Sequence, residues 1–352
     1  MIFIAIVGAL VAGLSTAWVV SPDVRYLTRA GAEESQILAS RRSIDKMVAD
    51  SSTDPDLRNR LRLVLDARNY AATLGFSAGK TYTTYADVKR DTLLLVISAS
   101  PPDCLCPYTW KYPIVGRMPY KGFFDLGMAR KEAAKLEKKG YDIYLRPSGA
   151  FSTLGWFDDP LLSTAVEGDT VELVATVFHE ISHNTLYVKS ATPFNESFAQ
   201  LAGYRAAQQF FQSRGDSAAA RYAADRWHDE VILGGYYTVL AGRLDTLYRA
   251  SKGDSVALAA GRNTISAWAR AALQDTVGPE LRTYRVGRLP DRPVNNARII
   301  AARIYRDHLD LLEAWYQQHD QDIAKSVSAL RDLMKGAEGD SAVARLRSAV
   351  SQ

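Results

Sequence analysis

The sequence predicts an α+β protein that is mainly helical, with a small sheet ahead of one buried central helix. Apolar residues recur every three to four positions between 171 and 181, which is the period of a helix with one buried face. Short apolar runs at 93–97 and 141–145 are typical of strands. From Tyr204 onward the pattern is again mostly helical, so we expect a helical C-terminal part.

The composition is that of a globular protein of 352 residues, which is long enough for one large domain or two. The formal net charge is only +4, and no basic run carries interleaved aromatic residues. Because a nucleic-acid surface needs such a run or patch, the sequence argues against a nucleic-acid partner.

Residues 1–20 carry no charged side chain, and an apolar run of this length can span a bilayer as one helix. A secretory signal is the second interpretation, with Ser15 and Ala17 as the small residues before a cleavage point. We therefore expect residues 1–21 to be a membrane anchor or a signal segment, with a buried soluble helix as the alternative. Residues 22–75 have helical periodicity and are expected to wrap around the domain that follows.

Residues 76–334 are expected to form the main domain. Its first part alternates strands with one helix, in this order: a buried strand at 93–97, a strand pair at 112–124, a helix at 128–139 and a strand at 141–145. Residues 294–318 predict one long amphipathic helix. Basic and small residues after Lys335 predict a loosely ordered tail over 335–352.

Cys104 and Cys106 are the two cysteines of the chain. They lack the partners that a four-ligand structural zinc site requires. A disulfide between positions two apart is feasible but geometrically tight. We therefore expect two thiols, with the disulfide as the alternative.

The motif His179-Glu180-x-x-His183 lies on the predicted central helix. Positions four apart share one helix face, so the two imidazoles can hold one zinc ion, and Glu180 lies beside them as a candidate proton acceptor. Thr192 followed by Pro193 predicts the start of the next helix, with Glu196 in its first turn. Twelve residues separate His183 from Glu196, which is enough for a loop and a chain reversal. Glu196 is therefore the predicted third ligand, and the fourth position stays open to water, as catalytic zinc requires.

This motif, followed by Asn195-Glu196-Ser197-Phe198-Ala199, resembles the gluzincin group of metallopeptidases. The chain also resembles a bacterial family of predicted aminopeptidases, and the similar segments run from roughly Tyr26 to Leu333. They are Tyr120–Phe124, Ser152–Pro160, Tyr187–Lys189 and Pro293–Arg298. The resemblance implies a zincin-like fold for residues 76–334, zinc as cofactor and a peptide as substrate. It also implies an extracytoplasmic, periplasmic catalytic domain that is secreted or anchored to the membrane.

Under this interpretation the chain is a hydrolase in which zinc activates a water and Glu180 is the general base. Tyr305 is the leading candidate to donate a hydrogen bond to the oxyanion, on the pattern of gluzincins, and Tyr187 and Arg298 are the next candidates. Asn195 is expected to contact the substrate. Asp158 and Asp159 lie close before the zinc helix, so one of them is expected to bind the free amine of the substrate. The alternative is a turn with aromatic anchors.

Two other functions remain open at this point. One is a zinc endopeptidase, and the other is a membrane-tethered binding protein with a silent zinc site.

Residues 227–230, Trp-His-Asp-Glu, offer further metal ligands, but their spacing fits poorly to one site, so we expect a solvated helix face. His308 and His319 are expected to have structural roles.

Overall fold

The computed structural model describes residues 21–112, 116–148, 160–287, 289 and 291–351. Across these residues the protein is mainly helical with small sheets, which confirms the predicted α+β, mainly α class. The predicted membrane or signal segment falls almost entirely on residues 1–20, outside the described residues. Among the helices that are described, none is both long enough and apolar enough to cross a membrane.

Residues 22–86 hold three helices and two short strands. They are α1 (Pro22–Ala39), β1 (Arg42–Ser43), α2 (Ile44–Ala49), α3 (Pro55–Thr73) and β2 (Thr84–Ala86). Asp54 caps α3 by accepting the N–H of Leu57, and Pro55 occupies its first turn. Leu61 and Val64 of α3 are fully buried in the same core cluster as the central helix.

A three-stranded antiparallel sheet follows, with one helix on its face. The elements of this part are β3 (Leu94–Ser100), β4 (Trp110–Tyr112), β5 (Gly116–Met118), β6 (Lys121–Phe123), α4 (Leu126–Glu137) and β7 (Asp142–Ser148). Strand β3 lies between β6 and β7, and Val96 of β3 is opposite both Gly122 and Arg146. Because side chains alternate along a strand, Ile97, Ala99 and Phe123 share the other face and pack with Ala129 of α4 and its neighbours.

The expectation of two thiols is wrong, because Cys104 and Cys106 form a disulfide. The loop after β3 turns sharply enough to bring their Cα atoms to 5.2 Å, a separation that a disulfide spans. Ser100 holds this turn, since its hydroxyl lies 3.0 Å from the carbonyl oxygen of Cys104 and 2.9 Å from that of Cys106.

The remainder is a helical assembly around the central helix. Its elements are β8 (Leu161–Leu162), α5 (Ser163–Val166), α6 (Thr170–Thr185), α7 (Thr192–Ser213), α8 (Ser217–Ala250), α9 (Ser255–Ala271), a π-helical turn (Ala272–Val277), a 3₁₀ turn (Gly278–Glu280), α10 (Asn296–Arg303), α11 (Leu309–Gln318), α12 (Ile323–Leu333) and α13 (Ser341–Val350). Strand β8 pairs in parallel with β2, so the start of this assembly is joined to the N-terminal part.

Two expectations about the C-terminal part are corrected here. The predicted helix over 294–318 is interrupted between α10 and α11, where His308 has a left-handed φ of 56°. The predicted loose tail contains α13, whose Ala342 and Leu346 are fully buried in the main core. The guanidinium of Arg345 donates to carbonyl oxygens at the end of the preceding helix, so this segment is fixed by polar contacts as well as by packing.

Helices α6 and α7 cross at very short distance because a glycine stands at the contact. A Cβ atom on Gly203 would lie 2.8 Å from the carbonyl oxygen of Ala175 and 3.4 Å from the Cβ of His179. Only glycine permits this approach without displacement of one helix. The crossing point therefore lies directly beside one of the predicted zinc ligands.

Candidate metal centre

The central helix α6 presents its polar motif because its other side is packed into the core. Asp169 caps the helix by accepting the N–H groups of Val171 and Glu172 at 2.8 and 3.2 Å. Val174, Phe178 and Ile181 are fully buried. His179, Glu180 and His183 lie on the side that remains half-buried, as the helical spacing predicts.

The loop between α6 and α7 is held by the side chain of Asn195. Its Oδ1 accepts the N–H of Val188 at 2.9 Å, and its Nδ2 donates to the carbonyl oxygen of Val188 at 2.8 Å. Asn195 is buried, and both ends of its amide are used in this clamp. This geometry favours a positioning role for Asn195 over the expected contact with substrate.

The clamp and the helix crossing bring the three predicted ligands together. The Nε2 atom of His179 lies 3.4 Å from Oε2 of Glu196, and that of His183 lies 3.9 Å from the same oxygen. One ligand atom from each residue lies within 4.8 Å of the others. Two imidazole nitrogens and one carboxylate oxygen at these separations can bind one metal ion.

The pKa shifts of His183 and Glu196 favour the charge states that bind a metal, whereas the shift of His179 favours its protonated imidazole. Burial, together with the charge of His179, lowers the pKa of His183 to about 4, so its imidazole is neutral at pH 7 with a lone pair available. Burial opposes ionisation of Glu196, but the hydrogen bond from His179 and the nearby imidazoles outweigh it and lower its pKa. For His179, burial disfavours the charged form, and the bond to Glu196 with the charge of Glu180 reverses this and raises the pKa.

Tyr305 lies beside this group in the interruption between α10 and α11. Its ring centroid is 6.4 Å from that of His179. Burial and the charge of Glu196 raise its pKa, so the hydroxyl remains protonated and can donate a hydrogen bond. The segment is attached to α7 because the N–H of Asp307 donates to Oγ of Ser197 at 3.1 Å.

Two residues near Tyr305 were not predicted as site residues. The charge of Arg146 lowers the pKa of both Tyr305 and Tyr120, although burial and Glu196 together raise both values. Tyr120 was noted only as part of a family-like segment, and Arg146 lies on a strand that carries no motif. Their proximity follows from sheet register, which sequence periodicity alone does not provide.

A buried ionic network lies behind the site, and it corrects the expectation for residues 227–230. Trp227, Asp229 and Glu230 are buried, not solvated. Glu230 forms an ion pair with Arg306 at 2.7 Å and accepts the hydroxyl of Tyr284 at 2.8 Å. These contacts connect α8 to the residue that follows Tyr305.

A second part of the network reaches the start of the central helix. Arg226 lies 2.6 Å from Oε1 of Glu172, and the hydroxyl of Tyr204 donates to Oε2 of Glu172 at 2.9 Å. The guanidinium of Arg226 also lies 4.0 Å from the ring centroid of Tyr284. The network therefore fixes α6, α7 and α8 relative to each other, and with them the candidate metal ligands.

The other predicted residues are exposed, have partners of their own or lie outside the described residues. Tyr187 is 66% exposed, and the guanidinium of Arg298 lies 5.9 Å from the ring centroid of Tyr144. Asp158 and Asp159 lie outside the described residues. His308 is 3.6 Å from Asp307, and Nδ1 of His319 is 2.7 Å from the carbonyl oxygen of Trp315, so both histidines have local partners.

Two histidines one helical turn apart and a glutamate from the next helix define a candidate metal centre of the His-Glu-x-x-His type in a mainly helical protein. The model of a protein family described as "Putative aminopeptidase" matches residues 25–343, and the chain belongs to this family. Neither a curated protein nor a solved structure matches the chain significantly.

Proposed function

We propose that the protein is a zinc-dependent aminopeptidase with a zincin-like, gluzincin-type active site. The observation that carries this proposal is the convergence of His179, His183 and Glu196 within 4.8 Å, with Glu180 on the same helix. Membership in the aminopeptidase family supports the reaction class.

The donor set fits zinc. Zinc binds imidazole nitrogen and carboxylate oxygen, and catalytic sites use three protein ligands with one position left open. The low pKa of His183 supports binding because the neutral imidazole is the form that acts as a ligand. A bound zinc ion would supply Lewis-acid activation of a water and of the scissile carbonyl.

Side chains of the protein would carry out proton transfer, stabilisation of the oxyanion and binding of the substrate amine. Glu180 accepts the proton of the attacking water and delivers it to the leaving amine. Tyr305 donates a hydrogen bond to the oxygen on which negative charge develops, and its raised pKa keeps the donor protonated. Asp158 or Asp159 binds the free α-ammonium group of the substrate, because a desolvated ammonium needs a carboxylate partner.

Metal analysis and a substrate panel test the proposal. We expect one equivalent of zinc per chain and cleavage of aminoacyl fluorophores whose amine is free, with little cleavage of their N-acetylated forms. Equal rates on both forms would assign an endopeptidase. Zinc binding without turnover of any peptide would assign a binding protein with a silent metal site.

We also propose that residues 1–20 direct the protein out of the cytoplasm, as a membrane anchor or a cleaved signal. The support is a charge-free apolar run of bilayer length. Cell fractionation of a C-terminally tagged protein tests this, and full-length protein in the soluble cytoplasmic fraction with Met1 retained would refute it.

A further inference from the structure

Strand β7 and helix α10 run side by side in the same direction toward the candidate metal centre. At one end, Oδ2 of Asp142 accepts the N–H of Asn296 at 2.7 Å. Two residues further along each element, the guanidinium of Arg298 lies 5.9 Å from the ring of Tyr144. Asp142 and Tyr144 thus share the strand face that is turned toward α10.

Arg146 is the next residue on this face, because side chains on a strand alternate with a period of two. Four residues of strand from Asp142 to Arg146 cover about 13 Å. Eight residues of helix from Asn296 to Ile304 cover about 12 Å. Arg146 therefore lies at the same level as Tyr305, which follows the end of α10.

The electrostatics agree with this placement. The positive charge of Arg146 acts on the hydroxyl groups of both Tyr305 and Tyr120. Within the described part of the chain, no ion pair joins Arg146 to a carboxylate, whereas the nearby Arg262 is paired with Asp142. Arg146 thus brings a positive charge to the site beside the proposed oxyanion donor.

We propose that Arg146 binds a carboxylate of the substrate on the leaving-group side of the scissile bond, which makes short peptides the preferred substrate class. This inference rests on the proposed aminopeptidase function. A guanidinium matches a carboxylate with two parallel hydrogen bonds and repels an ammonium group. The amine end of the peptide must therefore point away from Arg146, and the residue after the scissile bond must point toward it.

The distances suit a dipeptide. In a dipeptide the terminal carboxyl carbon lies about 4 Å from the scissile carbonyl carbon, since the bonds between them are about 1.3 to 1.5 Å long. Tyr305, which is proposed to contact the oxygen of that carbonyl, lies at the level of Arg146 and feels its charge. An acidic side chain on the residue after the scissile bond could supply the same carboxylate, so both sources need to be compared.

The test compares alanyl-alanine, alanyl-alaninamide and alanyl-glutamic acid α-amide as substrates of the zinc-loaded protein. We expect kcat/KM to be roughly 10-fold or more higher for a peptide with a carboxylate than for alanyl-alaninamide, mainly through KM. A preference for alanyl-alanine would show that Arg146 binds the terminal carboxylate. A preference for alanyl-glutamic acid α-amide would show that it binds the acidic side chain.

The preference should disappear in Arg146→Met and return in part in Arg146→Lys. Arg130→Met is the matched control, because Arg130 is exposed on α4, the helix that covers the opposite face of the same sheet. The inference is overturned if the parent enzyme shows no preference for a carboxylate, or if Arg146→Met retains it.

Calorimetry separates this inference from the proposed function. Failure of the parent to cleave alanine amidomethylcoumarin, alanyl-alanine and alanyl-alaninamide alike refutes the aminopeptidase proposal, and the role of Arg146 is then decided by binding alone. Binding of alanyl-alanine and of alanyl-alaninamide is then measured with the Glu180→Gln protein, with and without Arg146→Met. Tighter binding of alanyl-alanine that requires Arg146 supports the inference, and equal binding of the two peptides refutes it.

Discussion

The backbone N–H of Asp307 donates a hydrogen bond to the hydroxyl of Ser197 at 3.1 Å. Ser197 follows the candidate ligand Glu196 directly, and Asp307 lies two residues after Tyr305. Helix α7 therefore positions both the third ligand and the candidate oxyanion donor. In this way a single side chain couples the candidate metal centre to a segment that lies more than a hundred residues away in the sequence.

We expect Ser197→Ala to keep its metal and to lose turnover. The partly buried N–H of Asp307 would lose its partner, which costs about 0.5–1.5 kcal/mol of stability. A small shift of Tyr305 can lower kcat by up to about 10²-fold. Metal content, thermal unfolding and kcat on an aminoacyl fluorophore check this. Ser213→Ala at the far end of α7 is the control, and an unchanged kcat in Ser197→Ala would contradict the coupling.

Glu180→Gln should retain zinc and lose activity. The amide has the shape of the carboxylate but cannot accept a proton from water. The expected fall in kcat is on the order of 10²-fold or more, the usual size of a general-base contribution. Parallel metal analysis and kinetics on the same preparation check the prediction. A fully active, zinc-loaded variant would assign the proton transfer to a different group.

Tyr305→Phe should lower kcat while metal content stays constant. Removal of one donor to a developing oxyanion typically costs about 10²- to 10³-fold in kcat. Tyr187→Phe is the matched control, since the side chain of Tyr187 is 66% exposed. Steady-state kinetics of both variants check this, and the opposite ranking would transfer the donor role to Tyr187.

Gly203→Ala should weaken both the fold and the metal site. The added Cβ would lie 2.8 Å from the carbonyl oxygen of Ala175, so α6 and α7 must separate beside His179. Overpacking of this kind typically costs about 1–3 kcal/mol. Gly242→Ala on α8 is the control, because a Cβ at that position has no atom within 4 Å. Replacing a glycine by alanine within a helix removes backbone flexibility, so this variant should not lose stability. Zinc titration and thermal unfolding of both variants check the prediction.

Asp229 should contribute to stability at neutral pH and lose that contribution in acid. Burial alone would raise its pKa, but hydrogen bonds from Thr283 and from the backbone N–H groups of Arg282, Thr283 and Tyr284 lower it. The pKa of Asp229 is therefore lower in the folded protein than in the unfolded chain, where an aspartate has a pKa of about 3.9. The ionised carboxylate stabilises the fold fully above the unfolded pKa, and this stabilisation is lost as the pH falls through the folded pKa.

The measurement for Asp229 is thermal unfolding between neutral pH and pH 3 for the parent and Asp229→Asn. We expect the variant to be about 1–3 kcal/mol less stable at pH 7, because the amide cannot accept all of these bonds. The difference between the two proteins should shrink toward pH 3. A difference that stays constant over this range would show that the ionised carboxylate is not the stabilising form.

The parts of the site that the sequence predicts are those encoded by local spacing. His179 and His183 share a face because they are four residues apart, and this requires no tertiary information. Glu196 follows from the helix start at Thr192 and Pro193, which the structure confirms. The strands at β3 and β7 and the helix α4 also match the predicted periodicity, with bounds shifted by only a few residues.

The parts that were missed depend on contacts between distant positions. Asp229 and Glu230 look like a solvated face because their partners, Tyr284 and Arg306, lie 54 to 76 residues further along the chain. The interruption before α11 was missed for the same reason. The apolar periodicity continues through it, so the local sequence predicts an unbroken helix. The segment is held instead by two residues of other helices: Ser197 accepts the backbone N–H of Asp307, and Glu230 pairs with the side chain of Arg306.

The amide clamp of Asn195 on Val188 has a consequence for how this protein family can vary. Because the clamp closes a short ring of chain, an inserted or deleted residue between 189 and 194 would break both hydrogen bonds and move Glu196 off the histidines. A change of length in an exposed turn such as residues 252–254 would disturb far fewer contacts. We therefore expect family members to differ in length at such turns. The number of residues between 189 and 194 and the asparagine at position 195 should be conserved together.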